Sequence, residues 1–284
     1  MQIQNMLKYI NPILASLALY LLFVQMYSNP LADYDLWGYL AFGRAFWETG
    51  QFPYRDLFSY TPTKPLWIYH EWLTGVLFYQ VYRHAGEAGL QLLRYGLILI
   101  TLFMVYLTGV KRGGTSLFAC IALVPAMLLI SYGYVPVRAQ IFTYGFFILT
   151  VYILEIFRLR QRWAILLWLL PVMVLWCNFH GGYPVGIVVI GLYAVGEAFS
   201  GRRYKPIAIA AFFSGAATLI NPYGIQYWIF TFSALTMPRP EIIEWASVSG
   251  AIDKGLYLLP AYLFTFMAIL LLIVRWFLLR KAAR

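Results

Sequence analysis

The chain has 284 residues, of which 62% are hydrophobic and only 11% charged, and its mean hydropathy is +0.71. Soluble domains average about 25% charged residues, so this composition excludes a protein whose whole surface faces water. The net charge of +10 does not indicate nucleic-acid binding, because Lys and Arg form short clusters between apolar runs. Cys120 and Cys177 each lie inside an apolar run, which excludes a disulfide framework. We therefore predict an integral membrane protein that contacts membrane lipids and no nucleic acid.

Eight apolar runs reach or approach the roughly 20 residues that a transmembrane helix needs. They cover residues 10–28, 89–110, 115–134, 140–157, 163–179, 183–199, 205–220 and 256–279. The predicted fold class is an all-α integral membrane protein with about eight transmembrane helices in a single domain, residues 1–284. The first run is long for a signal peptide, which favours an uncleaved anchor.

The sidedness of these helices depends on a ninth apolar segment, residues 70–83, which looks too short to span. If it stays outside, the basic clusters at 111–112, 158–162, 202–205 and 275–284 all lie in the cytoplasm, as the positive-inside rule requires. Both termini are then cytoplasmic. Every acid except Glu155 and Glu197 falls on the outer side, and these two are expected to pair with nearby arginines. A functional site on the outer face is the simplest expectation.

The first external loop, residues 29–88, is too long to be a simple connector, and we expect it to carry two juxtamembrane helices. The first should follow Asp33-Tyr34-Asp35. Its apolar stripe has helical spacing and is typical of an interfacial helix on the outer leaflet; the stripe comprises Leu36, Tyr39, Leu40, Gly43, Phe46 and Trp47. The second should open with His70-Glu71-Trp72, after a segment broken by Gly50 and three prolines.

The two aspartates have two readings. Either carboxylate can cap the first turn of the following helix, which is a structural role. Alternatively, Asp33 and Asp35 project to one side of an extended stretch, where one takes a proton from an acceptor hydroxyl or both hold a divalent cation. The three histidines of the chain lack zinc-ligand spacing, so Mg²⁺ or Mn²⁺ is the metal to consider.

Other polar residues at the outer ends of helices also have two readings. Arg138 either clamps a phosphate or snorkels to lipid headgroups. His180, with Asn178 beside it, either binds a phosphate or sugar or simply belongs to the turn at Gly181 and Gly182. The external amphipathic segment 225–254 carries Glu244 and Trp245, which supply either an acid and a sugar-stacking ring or an interfacial aromatic belt.

Taken together, these motifs resemble bacterial multi-pass proteins of the GT-C glycosyltransferase superfamily, and the resemblance covers most of the chain. The motifs that carry it are Asp33-Tyr34-Asp35-Leu36-Trp37, Gly43-Arg44, Asp56-Leu57-Phe58-Ser59, His70-Glu71-Trp72-Leu73, Arg138-Ala139-Gln140, Asn178-Phe179-His180-Gly181, Asn221-Pro222-Tyr223-Gly224 and Glu244-Trp245.

The resemblance implies a cell-envelope enzyme of the bacterial inner membrane. Such an enzyme transfers a sugar from a polyprenyl-phosphate carrier to an acceptor hydroxyl on the periplasmic face. It implies that Asp33 is the catalytic base, supported by Asp35. The residues we assign to substrate and lipid-phosphate binding are Arg138, His180, Asn178, His70, Glu71, Asp56, Tyr39, Glu244 and Trp245.

Two departures from the family pattern support an alternative function. Relatives often read Trp-Trp-His-Leu after the acids, whereas this chain has Trp37-Gly38-Tyr39-Leu40, so Tyr39 would have to replace a polar partner. The chain also ends soon after the eighth predicted span, which favours either a minimal transferase or one completed by a partner membrane protein. The alternative is a non-catalytic GT-C-like subunit that binds a lipid carrier or scaffolds a complex. A transporter ranks last, because it would place charges in mid-span.

Overall fold

A computed structural model describes residues 33–61, 63–133 and 136–238, together with Leu17, Tyr20, Leu21, Phe23, Val24 and Phe266. Every regular element within these residues is helical, in agreement with the predicted all-α class. The helices are α1 (Tyr34–Thr49), α2 (Trp72–Lys111), α3 (Ser116–Gly133), α4 (Gln140–Arg160), a 3₁₀ helix (Trp163–Trp168), α5 (Leu169–Phe179), α6 (Tyr183–Phe199), α7 (Lys205–Ala217) and α8 (Ile225–Thr236).

The chain divides into two compact units, residues 1–232 and 233–284. The first unit contains α1 to α7, most of α8 and all of the contacts described below. The described part of the second unit comprises residues 233–238 and Phe266.

Local sequence signals explain where several helices begin and end. The Asp33 carboxylate caps α1 by accepting the amide of Asp35 at 2.9 Å, and Gly50 ends the helix in the left-handed region at φ 65°. Proline stands in the first turn of both α6 and α7, where its missing N–H costs nothing. As a result, α1 begins directly after Asp33, and α6 begins directly after the turn that contains His180.

The long helix α2 is interrupted at Gly86, whose φ of 59° and ψ of −154° are not helical. The stretch before Gly86 is shorter than a membrane span, whereas the stretch after it coincides with the predicted span 89–110. The sequence prediction of a short helix followed by a span therefore matches the break at Gly86, which only glycine adopts without strain.

Helix α1 packs closely on the first part of α2. A Cβ added to Gly43 would lie 2.2 Å from the carbonyl oxygen of Gly75, so the two backbones touch at this point. Leu36, Tyr39 and Leu40 of the predicted stripe are buried. Part of the apolar stripe of α1 therefore packs inside the protein, and the position of this helix on the outer leaflet stays a prediction.

The prediction of eight membrane spans is supported only in a coarser form. Among the described residues, α2 and α4 are the helices that are long and apolar enough to cross a membrane. Three further apolar helices coincide with predicted spans but have fewer than the roughly 20 residues of a typical transmembrane helix: Trp163–Phe179, Tyr183–Phe199 and Lys205–Ala217. A helix of 17 residues rises only about 26 Å, less than the ~30 Å hydrocarbon layer. The predicted runs 10–28 and 256–279 fall largely outside the described residues.

Two buried acids, Glu155 and Glu197, form ion pairs that hold the end of α4 farthest from Arg138. Glu155 contacts Arg112 at 2.8 Å and Arg158 at 3.2 Å, and Arg158 contacts Glu197 at 2.7 Å. The expectation that the two inner acids pair with nearby arginines is confirmed. These contacts fix α2, α4 and α6 to one another at the end opposite the acidic motifs.

Candidate functional site

Polar side chains from four separate segments meet at one end of the helices. Asp33 and Asp35 lie at the start of α1, Glu71 directly precedes α2, Arg138 precedes α4, and His180 follows α5. Arg138 contacts both aspartates, His180 contacts Glu71, and the charges of Asp35 and Arg138 act on the Glu71 carboxyl. We call this set the acidic cluster. Its members are far apart in sequence, and the fold alone brings them together.

Arg138 joins the two aspartates of the acidic cluster. Its Nε donates to Asp35 Oδ2 at 3.0 Å, and a second guanidinium nitrogen bonds the same oxygen. The Nε also lies 3.5 Å from Asp33 Oδ1. The side chains of Arg138 and Asp33 are 13% and 17% exposed, whereas that of Asp35 is 50% exposed. Asp35 therefore marks the open side of the cluster.

The capping reading is confirmed for Asp33, whereas proton transfer or cation binding by Asp33 and Asp35 stays a prediction. Asp33 caps α1 and at the same time faces Arg138. Because one carboxylate oxygen serves both contacts, capping and ion pairing are not alternatives here. The cap also fixes the direction in which Asp33 presents its charge.

Glu71 occupies the cap position of α2, yet its carboxylate makes no capping hydrogen bond. Its Oε1 lies 3.3 Å from His180 Nε2 and 3.7 Å from His70 Nε2. The buried side chain of Tyr39, on α1, faces the same carboxylate. The Glu71 side chain is 13% exposed, so it reaches the surface of the cluster from a largely buried position.

The protonation state of His180 follows from a chain of hydrogen bonds. The indole N–H of buried Trp176 donates to Thr143 Oγ1 at 2.8 Å. The Thr143 hydroxyl lies 2.7 Å from His180 Nδ1 and must be the donor, because Nδ1 already accepts an amide proton and so carries none of its own in the neutral ring. The amide of Gly182 donates to the same Nδ1 at 2.9 Å. The imidazole therefore carries its proton on Nε2, which faces Glu71.

Burial dominates the electrostatics of this pair. Desolvation raises the pKa of the Glu71 carboxyl; Asp35 adds to the rise, whereas His70, Tyr39 and Arg138 oppose it. Desolvation lowers the pKa of His180 to about 3, with His70 and Arg138 acting in the same direction. At neutral pH His180 is therefore neutral.

Two glycines make room for the histidines. A Cβ on Gly182 would lie 2.7 Å from Thr143 Oγ1 and 3.0 Å from His180 Nδ1. A Cβ on Gly181 would lie 2.9 Å from the His70 ring. The Gly-Gly pair that the sequence reading assigned to a turn thus permits the close packing of both imidazoles.

Asn178 lies beside the cluster, with its amide engaged in the protein. Its Oδ1 accepts the indole N–H of Trp72 at 2.7 Å, and its amide nitrogen donates to the carbonyls of Val174 and Ile220. These bonds tie the start of α2 to the end of α5, which favours a structural role. Substrate binding by Asn178 stays a prediction.

The remaining site residues are dispersed. Asp56 caps its own loop through Ser59 Oγ at 2.6 Å and the Phe58 amide at 2.9 Å, and these hydrogen bonds lower its pKa. Within the described ranges, no hydrogen bond or ion pair connects it to the acidic cluster. Glu244 and Trp245 lie outside the described residues, so their predicted roles in the site stay predictions.

Aromatic side chains hold the loop between α1 and α2 against the turn that precedes α8. The Tyr69 amide donates to the Tyr223 hydroxyl at 2.9 Å, and Tyr54 donates to the Pro222 carbonyl at 3.3 Å. The Tyr69 ring stacks on Phe42 of α1 at 4.5 Å between centroids. This packing fixes the approach of the chain to His70 and Glu71.

The positive charge that the structure places beside the two aspartates comes from an arginine. Among the described residues, no group of three or more His, Cys, Asp or Glu side chains is disposed to hold a metal ion. Arg138 instead supplies a positive charge to both Asp33 and Asp35. A role for Mg²⁺ or Mn²⁺ stays a prediction, and no step below depends on it.

Sequence reasoning missed Thr143 and Trp176. Trp176 begins the segment 176–182 that carries part of the family resemblance, but no role was assigned to it, and Thr143 belongs to no such motif. Both lie inside apolar runs that predict membrane helices. The only available signal is the position of Thr143, a single hydroxyl five residues after Arg138 in the first turns of α4. No protein-family model, curated protein or solved structure matches this chain.

Proposed function

We propose that the chain is a multi-pass membrane glycosyltransferase of the GT-C type, with about eight spans and both termini in the cytoplasm. In this proposal the acidic cluster faces the periplasm and transfers a sugar from a polyprenyl-phosphate carrier to an acceptor hydroxyl. The apolar composition and the candidate spans α2 and α4 support the membrane location. The resemblance of the loop motifs supports the type of reaction.

The single observation that carries the proposal is the meeting of Arg138 with Asp33 and Asp35 beside Glu71 and His180. The topology derived from charge puts all five residues on the outer side, and the fold brings them together. An arginine next to carboxylates combines a phosphate-binding group with proton acceptors. Transfer from a phosphate carrier to a hydroxyl needs both.

The proposed reaction is a substitution at the anomeric carbon of the sugar. The acceptor oxygen bonds to this carbon while the bond from the carbon to the phosphate oxygen breaks, and the electron pair stays on the lipid phosphate. A carboxylate of the cluster takes the acceptor proton. Arg138 stabilises the charge that develops on the departing phosphate, because a guanidinium binds carboxylate and phosphate with the same planar fork. Asp35, the half-exposed partner, gives the phosphate access to Arg138.

The test is sugar transfer by the purified full-length protein in nanodiscs. A panel of polyprenyl-phosphate sugars, each radiolabelled in the sugar, is incubated with a bacterial envelope extract as the acceptor mixture. We expect one donor to lose its sugar, with release of free polyprenyl phosphate. Asp33→Asn and Arg138→Ala should each reduce this release at least tenfold. Arg44→Ala is the matched control, because Arg44 makes an exposed pair with Glu48 on α1.

A non-catalytic carrier-binding subunit is the second candidate. It is favoured by Tyr39, which stands where relatives carry a histidine and whose hydroxyl is buried against Glu71. This candidate predicts that a polyprenyl-phosphate sugar binds with an Arg138-dependent affinity and that its sugar is never released. The same nanodisc experiment, with donor binding measured alongside transfer, separates the two functions.

A further inference from the structure

The three acids of the acidic cluster differ in their suitability as proton acceptors. Asp33 Oδ1 accepts the Asp35 amide and lies 3.5 Å from the Arg138 guanidinium. Asp35 is bonded directly to the same guanidinium. Both carboxylates are therefore engaged in ion pairs with Arg138.

Glu71 lies in a different environment. The groups that face its carboxylate include the Tyr39 hydroxyl and the Nε2 proton of a neutral His180, which are uncharged donors, and His70 Nε2 lies 3.7 Å away. Its carboxylate lies at the start of α2 but does not cap the helix. A carboxylate held by neutral donors in a largely buried position gains a proton more readily than one paired with arginine.

The hydrogen bonds behind His180 run in one direction only. The Gly182 amide donates to Nδ1 and so makes this nitrogen an acceptor, Thr143 therefore also donates to it, and Trp176 donates to the Thr143 oxygen. As a result His180 cannot offer Glu71 a lone pair, and its Nε2 proton stays oriented toward the carboxylate. An imidazole held in one tautomer by buried donors is a positioning group rather than a base.

We propose that Glu71, and not Asp33, accepts the proton of the acceptor hydroxyl, and that His180, held by Thr143 and Trp176, is the positioning residue that orients the Glu71 carboxylate. This inference rests on the proposed transferase function. In the reaction the acceptor O–H proton moves to Glu71 as the acceptor oxygen bonds to the sugar. The protonated Glu71 then returns its proton to water after the lipid phosphate leaves. Asp33 and Asp35 keep Arg138 oriented toward that phosphate.

The proposal fixes the form of the pH profile. Transfer should increase with pH as Glu71 loses its proton, and this acidic limb should lie above the range of an ordinary glutamate. Among the described residues, the titratable or charged groups that face Glu71 are His70, His180, Tyr39, Tyr69, Tyr227, Asp35 and Arg138. Removing the Nε2 proton donor with His180→Ala should move the limb to higher pH, because the ionised carboxylate loses a donor.

The experiment measures kcat against pH for donor turnover by the nanodisc-embedded protein, in the wild type, Glu71→Gln, Asp33→Asn and His180→Ala. Glu71→Gln keeps the shape and the acceptor oxygen of the side chain, and Glu87→Gln, an exposed position on α2, is its control. We expect Glu71→Gln to lower kcat about 10²-fold or more and to abolish the acidic limb, while donor affinity stays unchanged. Asp33→Asn should weaken donor use and keep the limb.

Three results overturn the proposal. If Glu71→Gln retains the wild-type kcat and the acidic limb of its pH profile, Glu71 is not the proton acceptor. If the acidic limb is lost in Asp33→Asn alone, Asp33 is the proton acceptor instead. An unshifted limb in His180→Ala removes the positioning role. These results leave the transferase function standing. Absence of transfer by the wild-type protein would instead overturn both proposals.

Discussion

Arg138 and Asp35 are separated by 103 positions in the chain, yet the Arg138 guanidinium bonds the Asp35 carboxylate at 3.0 Å. The contact joins the loop before α4 to the first turn of α1. Through Asp33 it also links the cap of α1 to the same guanidinium. Asp33 and Asp35 are thus arranged around one arginine from a distant segment.

Substitution of Arg138 tests its role toward the carrier phosphate. Arg138→Ala should raise the KM for the polyprenyl-phosphate donor at least tenfold, because a charge-assisted contact to phosphate is lost. Arg138→Lys should recover only part of the loss, since a lysine keeps the charge but not the planar fork. The measurement is initial rate against donor concentration. An unchanged donor KM in Arg138→Ala would remove Arg138 from the donor site.

Gly182→Ala tests the close packing behind His180. The added Cβ would lie 2.7 Å from Thr143 Oγ1 and 3.0 Å from His180 Nδ1, so the bond between these two atoms must shift. We expect at least a tenfold lower kcat with the helical content preserved in circular dichroism. Gly191→Ala on α6, which has no neighbouring atom within 4 Å, is the control. Equal activities of the two variants would contradict a role for this packing.

The contact between α1 and α2 should depend on Gly43. A Cβ at this position would lie 2.2 Å from the Gly75 carbonyl oxygen and 2.5 Å from Tyr79 Cβ, and backbone cannot yield as a flexible side chain does. Gly43→Ala should therefore destabilise the protein by about 1 to 3 kcal/mol. A lowered Tm in detergent would show this. Gly96→Ala on α2, which has open space around it, should leave the Tm unchanged or raise it.

The buried His180 predicts a pH-dependent stability. Its pKa is lowered from 6.5 to about 3, so between these values the unfolded chain binds a proton that the folded chain does not. The contribution of His180 is fully present above about pH 6.5 and is lost as the pH falls toward 3. From pH 7 to pH 5 the loss should amount to about 2 kcal/mol.

The measurement compares Tm at pH 7 and pH 5 in the wild type and His180→Gln. The wild type should lose more stability than the variant over this interval. Glu71 acts in the opposite direction, because its raised pKa removes stability as the pH increases, but it is present in both proteins. His84→Gln, at an exposed position on α2, is the control. Equal decreases in Tm for wild type and His180→Gln would contradict the lowered pKa.

The helices follow from local signals, and so could be predicted from the sequence. Asp33 as a cap, Gly50 as a stop and proline at the start of α6 and α7 each act within one turn of a helix. The long apolar runs similarly predicted α4 and the later part of α2. The number of membrane spans could not be determined in this way. A helix of 17 residues has the composition of a transmembrane helix but fewer than the roughly 20 residues that typically cross the membrane.

The candidate site was only partly predictable, because its contacts are long-range. Arg138 and His180 were found from their polar character at helix ends. Their partners depend on which helix ends meet, and this is decided by packing such as the Gly43 and Gly75 contact. Thr143 and Trp176 resemble ordinary residues of apolar helices. Only the hydrogen bonds from Trp176 through Thr143 to His180 connect them to the candidate site.

The most direct test of the account is the release of free polyprenyl phosphate from a radiolabelled polyprenyl-phosphate sugar by the purified protein. We predict release by the wild type and by the exposed-site variant Arg44→Ala. With Glu71→Gln the rate of release should fall about 10²-fold or more. A carrier that binds to the wild-type protein in an Arg138-dependent way but keeps its sugar would contradict catalysis and favour the carrier-binding subunit.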